Sequence, residues 1–231
     1  MDEAALRRNL DDVWRRMAAA CERAGRQIDD VLLVAVVKTV DVDTVRALQA
    51  LGVTDVGENR VQQAQAKREA LGGGLGLRWH MIGHLQRNKV RHALPLFEMI
   101  HSVDSVRLAR AIDERAAGEG RRVPILLQCN TSGEESKFGL SPAALPELLD
   151  AILPLEHVAV NGLMTMAPFV ADPEETRPGF AALRELADQA RVRTGLPLPH
   201  LSMGMTQDFE VAIEEGATLV RVGSALFRGV G

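Results

Sequence analysis

Apolar and polar positions alternate along this chain with two different periods. Over residues 2–25, Leu6, Leu10, Val13, Met17 and Cys21 recur at steps of three and four, while Arg7, Arg8, Asp11 and Arg15 fall off that stripe. Such spacing predicts an amphipathic helix. Val31-Leu32-Leu33-Val34-Ala35-Val36-Val37 then runs apolar without interruption, as a parallel strand covered on both faces requires. A helical stretch over 43–52 follows, with Gly52 as its stop.

The alternation then repeats. Further strands are expected at 55–58, 79–83, 99–103, 123–129, 158–166, 200–203 and 219–222, with helices between them at 61–71, 88–96, 106–117, 143–153, 174–194 and 208–215. Eight strands, each joined to the next by a helix, predict an α/β fold: a closed (β/α)₈ TIM barrel with an extra N-terminal helix over about residues 2–25. One domain is expected over 1–231, with Gly72-Gly73-Gly74 as an internal loop, because the rhythm continues across it. An open doubly wound sheet is the alternative, since a linear rhythm does not specify closure.

Composition narrows the classes. The chain has 27 Lys+Arg against 31 Asp+Glu, a formal charge of −4, so no basic field draws it to nucleic acid or to an anionic membrane. No apolar stretch approaches a membrane span, and Met1-Asp2-Glu3 lacks the basic start of a secretory signal. Cys21 and Cys129 are too few for a disulfide framework or a structural zinc site. The expected compartment is the cytoplasm.

In a barrel, chemistry sits where strands end. The expected ends are Lys38-Thr39, Glu58-Asn59, Gly83-His84, Asp104, Asn130, Met166, Gly204 and Gly223-Ser224. Lys38 closes the apolar run; desolvation there would disfavour its charged form and free the amine to attack a carbonyl, unless it simply snorkels to water. Arg221, between valines, shares a strand face with Gly223 and needs an acceptor; a structural ion pair would supply one. Gly223-Ser224 offers amides and a hydroxyl to a phosphate, with Ser202 as a neighbour from the preceding strand, although ordinary turns use the same residues. Thr206 reads equally as a helix cap. His80 and His84 lie on a strand and its loop, which does not set them on one face for a metal. Asn59 is a polar residue at the mouth, and the charged run Glu134-Glu135-Ser136-Lys137 reads as a solvated loop.

Several blocks occur together in order: Val36-Val37-Lys38-Thr39, Gly57-Glu58-Asn59, Trp79-His80-Met81-Ile82-Gly83-His84-Leu85-Gln86, Glu135-Ser136-Lys137-Phe138-Gly139, Gly162-Leu163-Met164, Leu201-Ser202-Met203-Gly204-Met205 and Val220-Arg221-Val222-Gly223. Over nearly the whole chain they resemble the pyridoxal-phosphate homeostasis proteins, which look like the N-terminal barrel of alanine racemase standing alone. The resemblance implies pyridoxal 5′-phosphate (PLP) as cofactor, held by a covalent aldimine on Lys38, with Arg221 facing the pyridine nitrogen. It implies Ser202, Gly223 and Ser224 at the phosphate and Asn59 near the cofactor, with no residue assigned to catalysis and no metal. Ser224 stands where many members have threonine, which keeps the hydroxyl.

Three functions compete. The first is a PLP carrier or buffer in vitamin B6 and amino-acid homeostasis, a monomer that passes cofactor to apo PLP enzymes. The second is a PLP-dependent amino-acid racemase. The racemases that this barrel resembles set lysine and tyrosine on opposite faces of the substrate, and Tyr is 0 here. The third, a Schiff-base aldolase, is disfavoured by the match at Arg221. A permanent cation beside the pyridine nitrogen opposes its protonation and weakens the ring as an electron sink, which favours the first reading.

Overall fold

The computed structural model describes residues 1–73, 75–133 and 138–231. Eight parallel strands close into a barrel in chain order: β1 (Leu32–Val36), β2 (Asp55–Glu58), β3 (Arg78–Met81), β4 (Met99–Val103), β5 (Val123–Gln128), β6 (Val158–Met164), β7 (His200–Ser202) and β8 (Leu219–Val222). Strand β8 closes on β1, with Leu219 opposite Leu32 and Arg221 opposite Val34. Closure rules out the open sheet, because every strand is paired on both sides. Alternation along β1 explains its unbroken apolar run. Leu33, Ala35 and Val37 join the core outside the strands, while Val34 packs inside the barrel with Leu126, Met164 and Leu219.

The helices are α1 (Glu3–Arg23), α2 (Val42–Ala50), α3 (Val61–Ala70), α4 (Val90–Ala93), α5 (Val106–Ala117), α6 (Leu145–Ile152), α7 (Arg177–Thr194), α8 (Phe209–Glu214) and α9 (Ser224–Phe227). The extra helix α1 is capped by the Asp2 carboxylate, which accepts from the Ala5 amide at 3.0 Å. Its apolar stripe is buried, and it packs on α8 and α9. Arg16 donates twice to Glu210, at 2.9 and 2.7 Å, and its guanidinium lies 4.6 Å from the centre of the Phe209 ring. Asn9 donates to the carbonyls of Leu226 and Arg228 at 2.9 Å each. These contacts fasten α1 to the elements that follow β7 and β8.

Prolines account for most of the displaced boundaries. The helix expected over 88–96 shrinks to a 3₁₀ turn (Arg87–Lys89) and the single turn α4, ahead of Pro95. Pro146 and Pro178 occupy the first turns of α6 and α7, where a missing N–H costs nothing, and the residues before them form 3₁₀ turns. Strands expected to reach 83 and 166 end at Met81 and Met164, because the following residues leave the ladder to build the barrel mouth. Helix α9 was not anticipated. Among the described residues no helix is long and apolar enough to cross a membrane.

Candidate functional site

A cavity of about 1070 Å³ opens at the C-terminal ends of the strands. Seven loops line it: after β1 (Lys38, Thr39), β2 (Asn59), β3 (Gly83, His84), β5 (Phe138), β6 (166–169), β7 (205–208) and β8 (Gly223, Ser224). Arg221 and Gln128 reach it from within β8 and β5. Glu58, Asp104, Asn130 and Gly204, also expected at strand ends, do not line it.

Lys38 lines the cavity but is exposed. The buried stem read from the apolar run is therefore corrected. Strand β1 stops at Val36, Val37 goes to the outer core, and the chain turns at 38–40, so Lys38 is carried beyond the packed layer. What surrounds it is fixed. Lys67, on α3, donates to the Val37 carbonyl at 2.5 Å and to the fully buried Glu58 carboxylate at 2.7 Å. The other Glu58 oxygen accepts from the Asn59 amide at 2.7 Å. One buried ion pair thus ties the ends of β1 and β2, the two ends that present Lys38 and Asn59. Gly83 presses on the second of these: a β-carbon there would lie 2.5 Å from the Asn59 carbonyl oxygen, so only glycine fits.

Arg221 is buried, yet among the described residues no carboxylate lies within 4 Å of it. It is not the structural ion pair that a buried arginine suggests. Its guanidinium donates to Ser202 Oγ at 2.6 Å and to the Thr165 carbonyl at 2.9 Å. Burial lowers its pKa to about 10, which still leaves it charged at neutral pH. Asp208, at the cavity wall, is itself buried, and burial raises its carboxyl pKa. Its oxygen accepts from the Met205 amide at 2.6 Å, which shapes the loop after β7.

Ser202 does not reach the cavity. It has no exposed surface, and its hydroxyl is taken up by Arg221 and by His101 Nδ1 at 2.9 Å. The reason is that β7 ends at Ser202 with the side chain inside the barrel. The hydroxyl that does stand beside Gly223 is Thr206, four residues on. Its Oγ1 lies 3.4 Å from the Gly223 amide and 3.3 Å from the Ala225 amide, both long contacts that a stronger acceptor can replace. Thr206 is not the helix cap; Asp208 occupies that position. Gly204 permits this turn, with φ +90° and a virtual β-carbon 2.6 Å from that of Ala212.

His80 and His84 part company, as a strand and its loop require. His80 is buried inside the barrel, whereas His84 lines the mouth, with Nδ1 3.7 Å from Asp104 and its ring stacked on Phe138 at 5.0 Å. An imidazole backed by a carboxylate therefore stands at a mouth where no second acid or base was expected. Glu134, Glu135, Ser136 and Lys137 lie outside the described residues. The sequence reading missed the roles of Thr206 and Asp208. It also missed Asp55 and His101, lone polar residues at inward strand positions, and gave His80 and Ser202 no role inside the barrel.

A closed barrel with a lysine at its mouth and a buried arginine held by neutral acceptors in its floor defines a class, and the chain belongs to it: the family of the alanine racemase N-terminal domain, whose sequence model matches residues 2–229. Within that family it sits among the pyridoxal phosphate homeostasis proteins. One from Aquifex aeolicus is 46% identical over 218 residues, 94% of this chain and 95% of the relative. The structure of PipY from Synechococcus elongatus, with PLP bound, is 40% identical and superposes with a TM-score of 0.80, covering 86% of this chain and 92% of that one. An alanine racemase from Clostridium difficile, at 17% identity and a TM-score of 0.74, shares the fold; the match covers 97% of this chain and 56% of the racemase.

Proposed function

We propose that this protein binds PLP in the mouth cavity, holds it covalently through Lys38, and releases it, as part of vitamin B6 and amino-acid balance. The observation that carries the reading is Arg221: a buried cation that lines a cavity, without a carboxylate of its own, together with a lysine free of other partners among the described residues. The relatives' shared name and the PLP in PipY support it.

The residues fit the group chemically. The Lys38 amine would take the aldehyde, forming a carbon–nitrogen double bond as the carbonyl oxygen leaves as water. Lys67, the nearby alternative, is already held by Val37 and Glu58. Thr206, Ser224 and the amides of Gly223 and Ala225 are the donors for a phosphate. Asn59 would flank the cofactor. PLP supplies electrophilic aldehyde chemistry and, in enzymes, an electron sink. Arg221 opposes protonation of the ring nitrogen, so the site favours holding the cofactor over turning substrates over. The protein acts in this reading as a cytoplasmic monomer that gives PLP to apo PLP enzymes.

The test combines a visible spectrum with borohydride trapping and peptide mapping. Label on Lys38, and loss of the absorbance band in a folded Lys38→Ala variant, are expected. Label on another lysine with Lys38 unmodified overturns the attachment. Sustained racemisation of D- or L-amino acids, lost in Lys38→Ala, overturns the carrier reading and would turn attention to His84, the imidazole at the mouth.

A further inference from the structure

The polar path that begins at Arg221 does not stop at Ser202. Five side chains form one line across the barrel interior. Arg221 meets Ser202 Oγ at 2.6 Å, Ser202 meets His101 Nδ1 at 2.9 Å, His101 Nε2 meets His80 Nδ1 at 2.9 Å, and His80 Nε2 meets Asp55 Oδ1 at 2.8 Å. All five are buried. Asp55 also accepts from Arg78, at 2.8 and 2.6 Å, and from the Thr54 hydroxyl at 2.6 Å, so the line ends in an anchored anion.

Counting protons gives this line a direction. A guanidinium only donates and a carboxylate only accepts. Between them stand a hydroxyl and two imidazoles, each of which, when neutral, supplies one donor and one acceptor. A single arrangement then satisfies every link: Arg221 N–H to Ser202, Ser202 O–H to His101 Nδ1, His101 Nε2–H to His80 Nδ1, and His80 Nε2–H to Asp55. A proton added at His80 would reverse the links towards Ser202 and leave its hydroxyl proton without an acceptor, at a position with no access to water.

The geometry points to Asp55, His80, His101 and Ser202 as positioning residues for Arg221. They fix the rotation of its guanidinium through neutral groups, the line being anchored at its far end by Asp55 on Arg78, while the nearest charge of opposite sign, Asp208, acts on Arg221 through space from the cavity wall. The chemical sense of this is competition. A carboxylate directly on Arg221 would occupy the N–H groups meant for the cavity, whereas a hydroxyl takes one and leaves the cation facing the ligand. The inference rests on the reading of the cavity as a PLP site.

Two measurements test it. In the cofactor-free protein, long-range proton–nitrogen NMR should show His80 and His101 as neutral Nε2–H tautomers at pH 7.5, with slowly exchanging Arg221 Nη–H signals. A proton on Nδ1 of either ring overturns the proposal. Ser202→Ala should collapse the resolved Arg221 signals. In protein loaded with PLP, it should shift the visible maximum and speed cofactor release on the order of tenfold, as loss of one hydrogen bond to a charged group predicts. Unchanged Arg221 signals, spectrum and release refute the role even if the variant is less stable, because lost stability alone moves none of them. If Ser202→Ala does not fold, the wild-type tautomers decide. If the wild-type protein takes up no PLP, the functional reading fails, and the cofactor-free signals alone judge the positioning.

Discussion

Acidification should cost this fold a defined amount of stability through one histidine. His101 is fully buried, and burial above all, with the Arg221 cation nearby, holds its pKa well below the usual imidazole range. The unfolded chain takes up a proton there near pH 6.5, and the folded one does not. The stabilisation is therefore complete above about pH 6.5 and is lost as the pH falls towards the folded value. One proton corresponds to about 1.4 kcal/mol per pH unit, so this group alone should remove about 2 kcal/mol between pH 7.5 and pH 5. That is a large share of a typical ~5–15 kcal/mol total. Urea unfolding at half-unit pH steps measures it, and His101→Gln isolates it, because an amide keeps one donor and one acceptor but does not titrate. The variant should lack about 2 kcal/mol of the wild-type acid loss. His200, whose pKa is also lowered by burial, and Asp208, whose raised pKa acts in the opposite direction, remain in both proteins and cancel in the comparison. Equal slopes for the two proteins would refute the argument, since His101 would then titrate alike in both states.

Two further outcomes follow from burial. Lys67→Ala strands the Glu58 carboxylate with no exposed surface, and should cost about 3–5 kcal/mol in chemical denaturation, with Glu58→Gln in the same background recovering part of it. Cys129, its thiol pushed up to about 12 by burial, should not react with a thiol reagent at pH 8 until the protein unfolds, and Cys21, also buried with its pKa raised chiefly by burial, should behave likewise.

Local patterns by themselves determined the eight βα units, the apolar face of α1 and two charged positions that line the mouth cavity. Helical and strand periods are set by neighbouring residues, so Leu6, Leu10, Val13, Met17 and Cys21 mark a buried stripe whatever lies across from it. Lys38 and Arg221 were legible because one closes an apolar run and the other interrupts one. The tertiary structure decided what depends on residues far apart in the chain. Closure is a pairing of β1 with β8, and no local period encodes it. Whether Lys38 is buried depended on where β1 leaves the ladder. Whether Ser202 or Thr206 stands beside Gly223 depended on the turn at Gly204, because strand alternation sends one side chain into the barrel and the loop brings the other back to its rim. The line from Arg221 to Asp55 draws one polar residue from each of five strands, and only the closed barrel brings their inward faces together.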